Sequence, residues 1–321
     1  MKKIQFVLVT SVMALVGCTD QQFLDDALTA ESKPELSMPV KTMDEALETA
    51  VGELLQEKMT DRSCTKGVVC VVESATGAIK AHVSLERNGK RFTPTEDTYN
   101  EEQSVMMAGP TCLALLSTGL FVPDDVIDTG CGIYKDVRDH NWSRGGYGEI
   151  TLDDALCYRS QVAFAIAKEI AQEMTGERMD DKVAEYLADM PNSAIGMLTF
   201  YNAVANGGRM VKLVTEEGET IVVNDQIEDY DKIKMLQEGM ANAVAHGVCR
   251  KAGSEHTKVA ACCRTFLVKG NKRRMEMCGF FPTDEPKYTI MIVLEKDGLP
   301  ASAGTMCGSI MSATVDLLVK L

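Results

Sequence analysis

The strand-forming segments of this chain lie at its two ends, with the helix-forming ones between them. The run Gly67-Val68-Val69-Cys70-Val71-Val72-Glu73 is continuously apolar and rich in β-branched residues, the pattern of a strand covered on both faces. A turn at Ala75-Thr76-Gly77 leads into a second strand, Ala78 to Leu85. Strand patterns return at residues 259–268, 275–281 and 288–294, followed by a helix from about Cys307 to Val319. Between Cys112 and Ala245 the pattern is helix and loop, with helices expected at 113–118, 152–158, 162–175, 182–189, 194–206 and 233–245. A further helix is expected before the first strand. Thr42 and Glu45 have capping-box spacing, and Leu47, Val51, Leu54 and Leu55 supply its apolar face. Such an arrangement implies an α+β domain whose sheet is closed by the C-terminal strands and terminal helix.

The first residues read as an export segment. Lys2 and Lys3 precede an apolar core, Ile4 to Val16, too short for a permanent span. Leu15-Val16-Gly17-Cys18 has the form of a lipobox, so residues 1–17 are expected to be a signal peptide, with Cys18 lipidated. Residues 18–39, polar and containing Pro34 and Pro39, read as a tether, and residues 40–321 as the folded domain. The net charge of −14 becomes more negative once Lys2 and Lys3 leave, which argues against nucleic acid as a partner. The basic cluster Lys269-Gly270-Asn271-Lys272-Arg273-Arg274 reads as a solvated hairpin tip. The 11 cysteines become an even number without Cys18, so disulfides are expected in an exported chain. No zinc-type Cys or His spacing is present, and neither a metal nor a cofactor is expected.

Several segments carry a resemblance. Pro123 to Tyr147, PDDVIDTGCGIYKDVRDHNWSRGGY, is joined in order by the hairpin Val71 to Ala81, by Gly148-Glu149-Ile150-Thr151-Leu152, and by Leu198 to Gly208. Gly279-Phe280-Phe281-Pro282 and Pro286-Lys287-Tyr288 continue the series. The sequence resembles penicillin-binding-protein transpeptidase domains of the monofunctional division and elongation type, from about Lys41 to Leu321. The resemblance implies the penicillin-binding/β-lactamase-like fold: an antiparallel sheet with flanking helices and an all-helical half. It also implies a place in the bacterial cell envelope, with peptidoglycan peptide or cell-wall synthesis proteins as partners.

The same resemblance implies three catalytic motifs, Ser-x-x-Lys, Ser-x-Asn and Lys-Thr-Gly, and here all three are altered. With Ser104 as the nucleophile, Met107 stands at the lysine; a count back from Gly119 instead places Val105 and Ala108 there. No Lys or Arg lies between Arg91 and Lys135, so neither register supplies a base. Pro110 argues against an undisturbed helix at this point. At the second motif Arg159 stands for the relay serine and Gln161 for the asparagine, with Ser160 at the variable middle position. Arginine does not give up its proton. At the third, Cys262, Cys263 and Arg264 replace Lys-Thr-Gly, and Thr265 alone is kept.

Loss of a general base costs roughly 10²–10⁴ in rate, and loss of a member of a nucleophilic unit on the order of 10⁶. The expectation is therefore a pseudoenzyme that binds rather than reacts. The competing reading is residual acyl transfer through Ser104, or through a replacement thiol at Cys112, Cys157, Cys262 or Cys263 activated by His140 or His256. His140, Trp142 and Tyr147 are candidates for a surviving groove.

Overall fold

The computed structural model describes residues 41–95, 106–188, 190 and 193–320. The expected signal peptide, Cys18, the tether and Ser104 lie outside the described residues. The first helix, α1 (Glu45–Arg62), is capped by Asp44, whose carboxylate accepts from the Ala46 and Leu47 amides. Thr42, the expected cap, instead donates its hydroxyl to the Ile79 carbonyl at 2.8 Å and ties the segment before α1 to the sheet. Three strands follow, β1 (Lys66–Glu73), β2 (Ile79–Asn88) and β3 (Arg91–Pro94). The β2–β3 hairpin closes through the two-residue loop Gly89-Lys90, with Asn88 paired to Arg91 and Gly89 at φ +62°.

The helical half begins with α2 (Ala108–Ser117). Pro110 sits in its first turn, where its missing N–H costs nothing, so it starts this helix rather than breaking it. Three short ribbons, β4 (Val126–Asp128), β5 (Ile133–Tyr134) and β6 (Val137–Arg138), lead to β7 (Glu149–Thr151), which pairs with β4. Next come α3 (Leu152–Tyr158), α4 (Gln161–Thr175), α5 (Met179–Tyr186) and α6 (Ala194–Ala205), then β8 (Met210–Val211) and β9 (Val222–Asn224), then α7 (Tyr230–Ala245). The chain returns through β10 (Ala260–Lys269), β11 (Lys272–Phe281) and β12 (Tyr288–Asp297), and closes with α8 (Ala303–Leu318).

The main sheet is antiparallel, in the order β10-β11-β12-β1-β2-β3. Its two faces define two cores. Val68, Cys70 and Val72 of β1 pack toward the helical half with Leu113, Phe200, Tyr201 and Met240. Val69 and Val71, one residue out of phase, pack with Leu55 of α1 and Ile310 and Met311 of α8. Strand β1 therefore reads as an unbroken apolar run because both of its faces are covered.

The basic cluster divides. Gly270-Asn271 is the expected tip of the β10–β11 hairpin, but Arg274 lies within β11, 3% exposed and ion-paired to Glu295. The cysteines from Cys64 to Cys307 are free thiols, all buried except Cys131. Burial of these small apolar groups, rather than cross-linking, accounts for their number.

Candidate functional site

A cavity of about 350 Å³ opens between β10 and the helical half. Its wall brings together Met106, Met107 and Ala108 at the start of α2, Arg159 and Gln161 at the α3–α4 junction, and Cys262, Cys263 and Arg264 of β10. The three motif regions, separated by long stretches of sequence, converge here.

Each is positioned by a distinct local cause. Tyr201 of α6, fully buried, donates its hydroxyl to the Met106 carbonyl at 3.0 Å and holds the chain that enters α2. Gly109 lies beneath its ring: a Cβ there would come within 2.7 Å of the Tyr201 Cε1 and hydroxyl. At the second region, Arg159 ends α3 in the left-handed conformation at φ +58°. A non-glycine residue held there costs roughly 1 kcal/mol. Ser160 then turns inward: its hydroxyl donates to Asp139 Oδ2 at 2.8 Å and accepts from the Ala163 amide, capping α4. Asp139, 2% exposed, also accepts from the Val162 amide at 3.1 Å. Ser160, at the middle position of the expected second motif, is thus a helix cap.

At the third region, strand alternation separates the side chains. Cys262 faces the helical core, and Cys263 faces the core on the opposite side of the sheet. Arg264, in phase with Cys262, reaches the cavity. Thr265 accepts from the Ala303 amide at 2.8 Å and so caps α8, which has no hydrogen bond from its own capping side chain. Thr265, expected at the third motif, thus serves a helix start.

The electrostatics of the cavity are those of an anion trap. Arg159 Nη1 donates to the Cys263 carbonyl at 3.3 Å, and Gln161, with its amide oxygen turned toward β10, accepts from both Arg264 Nη atoms at 3.3 Å. The Nε atoms of both arginines are buried without a partner. Among the described residues no carboxylate lines the cavity. Burial, and after it the neighbouring Arg159 charge, hold the Arg264 guanidinium below its ordinary value. Lys168, on the same wall, is paired with Asp180 at 2.7 Å.

The thiols are poorly placed for nucleophilic work. Burial pushes Cys262 up to about 12, and raises Cys112 and Cys157 as well. Cys263 is held below its ordinary value by the hydrogen bond from the Cys249 thiol. No histidine lines the cavity among the described residues; His140 and His256 are both exposed. The expected groove residues also lie off the cavity wall. Trp142 is exposed beneath the Arg138 guanidinium, and Tyr147 stacks on Tyr158 with ring centroids 5.3 Å apart. Asp139 and Tyr201 escaped the sequence reading, because each acts through a contact between segments far apart in the chain.

The architecture is that of penicillin-binding-protein transpeptidase domains. The transpeptidase domain of Burkholderia pseudomallei penicillin-binding protein 3 matches with a TM-score of 0.73, over 90% of this chain and 97% of that one, at 15% identity. A peptidoglycan glycosyltransferase from Burkholderia ambifaria matches at 0.72, covering 87% of this chain and 96% of that one, with 16% identity. Penicillin-binding protein 2X from Streptococcus thermophilus gives 0.73 at 11% identity, over 88% of this chain and 52% of that one. No family model matches the sequence, and no curated protein matches it. Among the described residues no helix is long and apolar enough to cross a membrane.

Proposed function

We propose that this protein is a transpeptidase-fold binding protein of the bacterial cell envelope, held to a membrane by a lipid on Cys18, that does not acylate. Its cleft receives an anionic group, such as the terminal carboxylate of a peptidoglycan peptide. The observation that supports this most is the pair Arg159 and Arg264, which line the cavity with both Nε atoms buried and unpartnered. Acyl transfer needs a nucleophile that can lose a proton and a base to take it. Two guanidiniums supply neither, but they are well suited to grip a carboxylate through paired N–H donors.

The test has two arms on the leader-free chain. Intact mass after excess penicillin is expected to show no adduct; a stoichiometric adduct lost in Ser104→Ala would restore an acylating serine and end the proposal. In the second arm, an acetylated peptide ending in D-alanyl-D-alanine with a free carboxylate is expected to raise the melting temperature. At one hundred times Kd the gain is about 2.7 kcal/mol. Arg264→Met is expected to remove the response, while its own stability rises or holds because a buried like-charge contact is relieved. Equal stabilisation by the carboxyl-amidated peptide would rule out the anion reading.

A further inference from the structure

On the helix that Arg159 ends and on α7, two short helical pairs face one another. Asp153 and Cys157 lie one turn apart on α3; Asn242 and His246 lie one turn apart on α7 and its C-terminal cap. The carboxylate of Asp153, the Cys157 thiol and an imidazole nitrogen of His246 all fall within 4.8 Å of one another. We propose that Asp153, Cys157 and His246 form a binding site for a thiophilic divalent cation of the zinc type.

The donor set has the composition such an ion prefers: one thiolate, one imidazole and one carboxylate, with a fourth position for water. The helices are brought close by Gly239, where a Cβ would stand 2.9 Å from Leu156 Cδ2 and 3.0 Å from Asp153 Oδ1. Asn242 Nδ2 donates to Asp153 Oδ2 at 3.0 Å and orients the carboxylate, the part an outer partner plays around a metal ligand. Cys157 meanwhile makes only long contacts through its Sγ, 3.7 Å to Asp153 Oδ2 and 3.8 Å to the Gly239 carbonyl. Cys157 is buried and His246 exposed, so the ion would enter from the histidine side.

Without metal, burial first and the Asp153 charge second keep the Cys157 thiol protonated. Binding therefore breaks the S–H bond, releases one proton to solvent and forms a sulfur–metal bond. A carboxylate and a thiolate together match the charge of a divalent ion. The sequence carries only an Asp-x-x-x-Cys spacing and a histidine far along the chain, and that pattern gave no metal signal.

The test is a Co²⁺ titration of the reduced, leader-free protein. The expected result is one equivalent bound, with a thiolate-to-cobalt charge-transfer absorption that zinc displaces and with release of one proton. Cys157→Ser is expected to abolish the absorption. His246→Ala, an exposed substitution that leaves the fold intact, is expected to weaken cobalt binding at least ~10-fold. Absence of the charge-transfer band at saturating cobalt would overturn the proposal. So would a band that persists in Cys157→Ser, or one with unchanged affinity in His246→Ala from a protein whose circular dichroism matches the parent. The site and the arginine cavity are tested by different ligands, so neither result bears on the other.

Discussion

Glu295→Ala is expected to destabilise the folded domain by about 3–5 kcal/mol, the cost of breaking a buried ion pair by removing one member. Glu295, on β12, is 3% exposed, and Arg274 stands directly across from it on β11. The carboxylate accepts from Arg274 Nε at 3.1 Å and from Nη2 at 2.8 Å, and Lys272 Nζ lies 3.4 Å from its other oxygen. Removing the carboxylate leaves the guanidinium inside the sheet without this partner. For a domain of this size the loss corresponds to a fall of roughly 10 °C in melting temperature. The double variant Arg274→Met with Glu295→Leu is expected to recover most of the loss, since an apolar pair of similar volume avoids desolvating two charges. Urea denaturation of the three proteins decides the matter. A single-variant loss below about 1 kcal/mol would mean that water reaches the pair in solution, because exposed ion pairs are worth only that much.

This pair also shows where sequence reading stops. A run of basic residues beside a Gly-Asn turn is ordinarily solvated, and the turn is where it was expected. Arg274 is buried because a glutamate in the next strand faces it, and the register that brings them together is invisible in a local window. The outer logic of the fold was more legible. The continuous apolar run of β1 follows from cover on both faces, and the return of strands at residues 259–294 follows from a sheet that closes on itself. The helix caps were legible in kind but not in place. Thr42 had the right chemistry, yet Asp44 does the capping, because Thr42 is drawn to the Ile79 carbonyl.

The candidate site divides along the same line. Arg159, Gln161, Cys262 and Arg264 could be named from motif positions, and the fold gathers them on one cavity wall. The destinations of Ser160 and Thr265 could not be named. Each hydroxyl serves a helix start, and neither start is apparent until the partner segment is in place. Asp139 gave no signal either. It lies in a polar loop where an acid is unremarkable, and only its burial under α4 gives it a task.

That task makes Asp139→Ala the second substitution with a large expected effect. The carboxylate accepts from the Ser160 hydroxyl and from the Val162 amide, both buried. Hydrogen bonds to a charged group contribute about 1.5–3 kcal/mol each, and an abandoned buried donor adds its own desolvation cost. A loss of about 3 kcal/mol is therefore expected, read as a lower urea midpoint at unchanged slope. Asp139→Asn keeps one acceptor oxygen but turns an amide N–H toward a donor, so it is expected to recover only part of the loss. The substitution also reaches the cavity. Arg159 immediately precedes Ser160 and Gln161 follows it, so freeing the start of α4 lets both leave the wall they share with Arg264. The D-alanyl peptide response should accordingly fall in Asp139→Asn at temperatures where the variant is still fully folded. A full peptide response in that variant would show that the α4 cap holds the fold without positioning the arginine pair.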